Sequence, residues 1–422
     1  MNREQCAIYT SILKQELVPA MGCTEPIAVA YAAAKARDLL GKMPEQIIAQ
    51  CSGNIIKNIK GVVVPATGNM RGIAISAIIG TVGGDPNKKL ECLSTVTDEH
   101  RAEARKLEEA GICQVELLKG VSNLAIIITA IAGDDQAVVE IRHAHTNIVR
   151  LERNGEVLFL DDSEQVDDVI DTSILNLNDI YDYCNSVDLD TVREVLDNQL
   201  QCNRSIAEEG LTDGWGANVG RTLLKYMGDN WVIRAVAYAA AGSDARMAGC
   251  EMPVVINSGS GNQGITVTMP VYVYAKHIGA DEDKFYRALL LSNLVALYQK
   301  QQLGKLSAYC GAVSAATGSG AAIAYLSDGD IDCITRTITN TLGNISGIVC
   351  DGAKSSCAAK IASSVFSAIM GYFMAMEDTV FQPGEGLVMD DLQGTVNAYT
   401  RMGREGMAST DITILNMMIG KE

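Results

Sequence analysis

Between about Ile47 and Leu160 the chain changes pattern, and that change limits the folds open to it. Before it, IAVAYAAAKARDLL is rich in helix formers, with Pro26 near its start and Gly41 past its end, as helix termini prefer. Inside it, IIAQCSGNIIKNIKGVVVPAT is rich in Ile and Val and broken by Gly and Asn, a pattern of strands and turns. LSTVTDEHRAEARKLEEAG reads as a polar helix with opposite charges at helical spacing. LAIIITAIAG, QAVVEIRHAHTNIVRLERNG and EVLFL predict three consecutive antiparallel strands, the last two joined by an Asn154–Gly155 hairpin turn. An acidic linker follows, DDSEQVDDVIDTS, and the rest is rich in Ala, Gly and Met. There DEDKFYRALLLSNLVALYQKQ and KIASSVFSAIMGYFMAM predict helices. The expected class is α+β, a mainly helical body with a smaller inserted α/β domain. Residues 1–46 would be the N-terminal helical part of the body, 47–162 the α/β domain and 163–422 the larger helical domain.

Composition removes several classes of function. Of 422 residues 48% are hydrophobic, which excludes intrinsic disorder. The net charge of −17 argues against partners that are nucleic acids or anionic membrane surfaces. Met252–Ala275 and Leu306–Ser327 lack charge but are studded with Gly, Ser, Thr or Asn, and Val365–Met376 is shorter than the roughly 20 apolar residues a bilayer helix needs. All three are expected to be buried helices, with no membrane involved. The N-terminus is charged throughout and lacks the apolar region of a signal peptide, so the expected location is cytoplasmic, with a homo-oligomer as the default assembly. In that reducing compartment the 12 cysteines are thiols, and the absence of any C-x-x-C pair removes zinc ribbons and thioredoxin-type motifs.

Three constellations carry candidate chemistry. Cys310 opens CGAVSAATGSGAAIA, and Cys350 and Cys357 stand in NISGIVCDGAKSSCAAK, all in surroundings of small, uncharged residues. Small residues let backbone approach a bulky inorganic core, and three thiolates hold three irons of a 4Fe–4S cluster while leaving the fourth open as a Lewis acid. Three buried structural cysteines fit the same spacing. Cys23, in Met21–Gly22–Cys23–Thr24–Glu25–Pro26, precedes a predicted helix, whose dipole favours a thiolate base or nucleophile; local context alone favours an ordinary capping turn with a buried cysteine. The loop Ser258–Gly264 matches G-x-G-x-x-G through Gly259, Gly261 and Gly264, but lacks repeated strand–helix units around it. Its Ser258, Ser260, Asn262 and Gln263 suit a carboxylate or a polarised small substrate. Arg71 or Arg221 could pair with a carboxylate, although structural ion pairs explain such residues as well. His143 and His145 fall two apart in a predicted strand and would share a half-exposed face. No lysine stands in a pyridoxal-phosphate context, and Lys305 and Lys354 flank the cysteines as charge-balancing groups.

Taken together, MGCTEPIAVAYAAAKAR, CSGNIIKN, VVVPATGNMRG, SGSGNQG, CGAVSAATGSGAA and GIVCDGAKSSCAAKIA resemble the iron–sulfur L-cysteine desulfidase family, which is related to the alpha chain of iron–sulfur L-serine dehydratases. The resemblance covers essentially the whole chain. It implies that Cys310, Cys350 and Cys357 hold a 4Fe–4S cluster with one open iron and that Cys23 is the proton acceptor. It implies a carbon–sulfur lyase acting on a small amino acid without pyridoxal phosphate, releasing sulfide, pyruvate and ammonia from L-cysteine. The C-x6-C spacing of the last two ligands is shorter than in the serine dehydratases, which favours the desulfidase branch. The rival readings are an L-serine dehydratase, a non-catalytic cluster or metal sensor, and a nucleotide-dependent oxidoreductase.

Overall fold

The computed structural model describes residues 2–161, 171–301, 303 and 306–420. The expected acidic linker and the boundary at 162/163 fall largely outside them. At 59% helix and 13% strand the molecule is α+β with a helical body. The N-terminal part runs α1 (Arg3–Glu16), β1 (Pro19–Met21) and α2 (Thr24–Leu40). Gly41 closes α2 in the left-handed conformation, φ 79°, as its position in sequence predicts.

A six-stranded sheet follows, from β2 (Gln46–Ser52), β3 (Cys113–Leu118), β4 (Ala125–Ala132), β5 (Asp135–Arg142), β6 (Ile148–Arg153) and β7 (Glu156–Leu160). Its order is β3-β2-β4-β5-β6-β7, with β2–β3 parallel and the other pairs antiparallel. The crossover between β2 and β3 carries α3 (Gly53–Ile59), α4 (Ile73–Gly83) and α5 (Asp98–Glu109). The capping box of Thr97 and His100 starts α5. The turn at Asn154 (φ 51°) and Gly155 (φ 83°) is the predicted hairpin.

Two expectations need correction here. GNIIKNI is the helix α3, not a strand: Ile55 and Ile59, one helical turn apart, are both buried. QAVVEIRHAHTNIVRLERNG is two strands, because the backbone reverses at His143–Asn147, where His143 takes φ 66°. The two histidines therefore do not share a strand face. His143 is exposed in the turn and His145 is buried.

The helical body contains α6 (Leu177–Ser186), α7 (Arg193–Gly210), α8 (Val219–Met227), α9 (Trp231–Met247), β8 (Pro253–Val255), α10 (Gly261–Ile278), α11 (Glu282–Lys300), α12 (Gly311–Leu326), α13 (Ile331–Asn344), α14 (Cys357–Met376), α15 (Leu392–Arg401) and α16 (Ala408–Met418). Helix α12, and α10 as far as Ala275, are buried almost all round, as their uncharged sequences require. Buried amides cross the body: Gln199 of α7 and Asn293 of α11 exchange hydrogen bonds at 2.8 and 2.9 Å, and Asn257 donates to Asn293 at 3.0 Å. Among the described residues α14 alone is long and apolar enough to cross a bilayer, and half of its apolar window is buried against the body.

Candidate active site

Two short backbone pairings assemble the site. Strands β1 and β8 pair antiparallel, with Ala20 opposite Val254 and Met21 opposite Pro253. This holds the Cys23 turn against the loop after β8, and the Thr24 hydroxyl donates to the Gly259 carbonyl at 3.0 Å. The second pairing is a single antiparallel bridge between Tyr309 and Val349. Around it the Cys310 N–H donates to Ile348 O at 2.9 Å and the Cys350 N–H to Ala308 O at 2.7 Å. Residues adjoining a bridged pair point to the opposite face, so Cys310 and Cys350 share one face. Cys357 is the first residue of α14.

Cys23, Cys310, Cys350 and Cys357 line one cavity of ≈ 100 Å³, together with Glu25, Asn58, Arg246, Ser260, Asn262, Gln263 and Lys300. Four helices begin at its wall. Cys23 is the N-cap of α2, Ser260 of α10 and Cys310 of α12, and Cys357 opens α14. None of these four starts has a side-chain cap, whereas α1, α5, α6, α9, α11, α13 and α15 all do. Uncapped first-turn N–H groups and the positive ends of four dipoles therefore gather around one small cavity, an arrangement suited to an anion.

The Cys23 thiol donates to Glu25 Oε2 at 3.0 Å, and Thr24 Oγ1 donates to the same oxygen at 3.2 Å. Asn58 Nδ2 donates to Glu25 Oε1 at 2.9 Å. Burial and then the Glu25 charge push the Cys23 thiol well up. The expectation that a helix N-terminus would favour a resting thiolate is thus overturned: complete desolvation beside an anion outweighs the roughly half charge of a dipole. Burial also pushes Glu25 up, but His145, the Cys23 hydrogen bond and Arg246 outweigh it and leave its carboxyl below the ordinary range. The resting pair is a thiol bonded to a carboxylate.

The three remaining thiols form a second group. The hydrogen bond with Cys350 holds the Cys310 thiol high and Cys350 low, Lys57 adding to the latter. Cys357 is raised by burial. Lys300, buried beside them, is pushed down to about 8 by desolvation. No three His, Cys, Asp or Glu among the described residues are spaced for a single metal ion. A multi-iron core holds its thiolates farther apart, and the surroundings fit one: thiols on three segments, two helix N-termini, buried cations, and close-packed small residues. A Cβ on Gly352 would stand 2.3 Å from Lys57 O, so only glycine admits this path beside Cys350.

Of the substrate loop, Ser260, Asn262 and Gln263 reach the cavity and Ser258 does not. Gly261 and Gly264 allow close packing: their Cβ atoms would lie 2.4 Å from Arg246 Nε and 1.9 Å from Val255 O. The loop follows a three-residue strand that pairs antiparallel with β1, not the parallel strand–helix unit a dinucleotide fold needs, so the dinucleotide reading falls. Arg71 donates to Gly61 O and Arg221 pairs with Asp213; neither lines the cavity. Lys354 pairs with Asp351 at 2.5 Å, and Lys305 lies outside the described residues. Sequence reasoning assigned no role to Glu25, Asn58, Arg246 or Lys300. The one available signal was the Ala-rich run AYAAAGSDARMAG, where the charges of Asp244 and Arg246 among small apolar residues imply buried partners.

The profile of the serine dehydratase alpha chain matches residues 87–416, a span that holds Arg246, the 258–264 loop and the three thiols Cys310, Cys350 and Cys357. Over its full length the chain is similar to proteins described as UPF0597 protein. That of Lachnoclostridium phytofermentans is 51% identical over 409 residues, 97% of this chain and 98% of the relative. That of Finegoldia magna is 48% identical over 415 residues, 98% and 99% of the two chains. In Desulfitobacterium hafniense the relative is 45% identical over 415 residues, 98% and 96%.

Proposed function

The chain belongs to the serine dehydratase alpha-chain family, and from that premise we propose that it is a cytoplasmic iron–sulfur lyase that eliminates sulfide from L-cysteine. The observation that carries the reading is the gathering of Cys310, Cys350 and Cys357 with the Cys23–Glu25 pair around one cavity at four uncapped helix N-termini. The C-x6-C spacing supports cysteine over serine as substrate. The overall change is L-cysteine plus water to pyruvate, ammonia and hydrogen sulfide.

Cys310, Cys350 and Cys357 would hold the 4Fe–4S cluster, which supplies a Lewis-acidic iron that makes sulfide a better leaving group. The protein's own residues handle the proton. Glu25 takes the proton of the Cys23 thiol along their 3.0 Å hydrogen bond, and the thiolate so formed removes the proton from the substrate Cα. Asn58 and Thr24 hold the carboxylate in place for that transfer. The burial that keeps Cys23 protonated at rest also keeps water from a reactive thiolate. Loss of sulfide leaves aminoacrylate, which tautomerises to an imine and hydrolyses in water to pyruvate and ammonia.

The test uses anaerobically purified, reconstituted protein. Iron and sulfide content are measured first, then sulfide and pyruvate from L-cysteine beside pyruvate from L-serine. About four irons per chain and faster turnover of cysteine is the expected result. Serine preference with the same cluster would move the chain to the dehydratase reaction. Absence of both cluster and turnover would leave the three thiols structural.

A further inference from the structure

Arg246 poses an accounting problem that the mechanism above leaves unsolved. It stands in the last turn of α9, is 2% exposed and lines the reaction cavity. Its Nε donates to Gly22 O at 2.7 Å. A guanidinium carries five N–H groups, and the other four belong to its two Nη atoms. Among the described residues these make no hydrogen bond or ion pair; the nearby Glu25 has its oxygens engaged by Cys23, Thr24 and Asn58. Glu25 is close enough to feel the Arg246 charge, but it does not accept from the Nη groups, and buried N–H donors left without an acceptor are unfavourable unless a ligand provides one.

The same wall holds the complementary deficit. Asn58 Oδ1, Asn262 Oδ1 and Gln263 Oε1 are buried acceptors without a donor. All three side chains line the cavity, Asn58 from α3 and the other two from the first turn of α10. An alkylammonium group has three N–H donors. A free guanidinium fork and three free amide oxygens in ≈ 100 Å³ match the two charged ends of one small zwitterion.

We propose that Arg246 anchors the substrate carboxylate while Asn58, Asn262 and Gln263 receive its ammonium group, which restricts the site to small α-amino acids bound by both ends. This rests on the lyase reading for the reaction but not for the binding. Gly261 belongs to the arrangement, since a side chain there would displace the guanidinium that holds Gly22 O.

The experiment compares two half-ligands on the reconstituted holoprotein by calorimetry: 3-mercaptopropionate, which keeps the carboxylate, and cysteamine, which keeps the ammonium. Arg246→Gln is expected to weaken 3-mercaptopropionate about 10- to 100-fold, the scale of a hydrogen-bonded charge, and to leave cysteamine within about twofold. Asn262→Leu should do the reverse. Arg246→Lys, which retains the charge without the fork, should raise the KM for L-cysteine more than it lowers kcat, with iron content and visible spectrum unchanged. Equal losses for both half-ligands, or none, would overturn the assignment. Should the Arg246 variants not fold, the unaltered protein decides: 3-mercaptopropionate must bind, and its methyl ester must bind at least tenfold more weakly. Comparable binding of acid and ester would sink the proposal. A holoprotein that binds 3-mercaptopropionate through Arg246 yet turns over no amino acid would refute the lyase reading and leave the anchor standing.

Discussion

Cys23 and Glu25 show how one residue's chemistry is set by its neighbour. A thiol at a helix N-terminus is acidic when the dipole acts alone; burial, and then a carboxylate 3.0 Å away, reverses the sign. Cys23→Ser and Glu25→Gln are each expected to lower kcat by about 10²- to 10⁴-fold, the usual contribution of a positioned base, without loss of iron. Near-full activity of Cys23→Ser with its cluster intact would rule that cysteine out as the base. A second buried carboxylate gives a pH effect of predictable sign. Asp244 accepts the N–H groups of Ala217 and Gly220, each at 3.2 Å, and so caps α8. Burial pushes it from 3.8 up to about 6 against those hydrogen bonds. Between those values the native state holds a proton that the unfolded chain has lost, so this contribution to stability is complete at low pH and is lost as pH rises toward 6. The Tm advantage of the unaltered protein over Asp244→Asn should therefore shrink between pH 4 and 6 and then level off. A constant or growing advantage would contradict the assignment.

At the scale of elements, local pattern and tertiary contact divide the work unevenly. Helices with clear end signals announce themselves: α5, with Thr97 as its cap, and α11, capped by Asp281 at Lys284 N, follow from length and caps. The short α3 does not, because Ile-rich segments of seven residues suit either period and only its burial on both sides selects the helix. The break between β5 and β6 was equally hidden, since HAHTN contains neither Gly nor Pro and relies on His143 at φ 66°. Helix α2 makes the packing rule explicit. Its alanines are buried all round because α4 closes on one side and the sheet on another. At the α2–α4 crossing a Cβ on Gly80 would lie 2.2 Å from Ala30 O. Gly80→Ala should cost about 1–3 kcal/mol through a forced shift of backbone, read as a lowered Tm in the apoprotein. An unchanged Tm would mean that the two helices are free to separate.

The whole molecule ties its C-terminus to the cysteine loop. Lys57 is 1% exposed and pairs with Asp411 of α16 at 2.5 Å. Its backbone carbonyl packs on Gly352, two residues from Cys350. No residue of α16 is itself fully buried, and the helix is held by this ion pair together with the packing of Leu415 on Gly53. Asp411→Asn leaves a buried ammonium without its counter-charge and should destabilise the protein by about 3 kcal/mol, with faster amide exchange along Ala408–Met418. The double replacement Lys57→Met with Asp411→Leu should recover most of that loss, because two apolar groups leave no uncompensated charge. Failure to recover would show that the pair contributes more than its mutual neutralisation.

The sequence by itself determined the periodic elements, the α+β class, and the segments that carry Cys23, Cys310, Cys350, Cys357 and the Ser260–Gln263 turn, because helix periods, caps and small-residue runs act over a few neighbouring residues. Only the tertiary structure decided what those segments do to one another. The β1–β8 pairing and the Tyr309–Val349 bridge bring together residues from distant parts of the chain. Burial then converts an expected thiolate into a thiol and, among the described residues, leaves the Nη donors of Arg246 without an acceptor. Desolvation and charge pairing depend on distances in space, and no local pattern encodes which distant side chain will supply them.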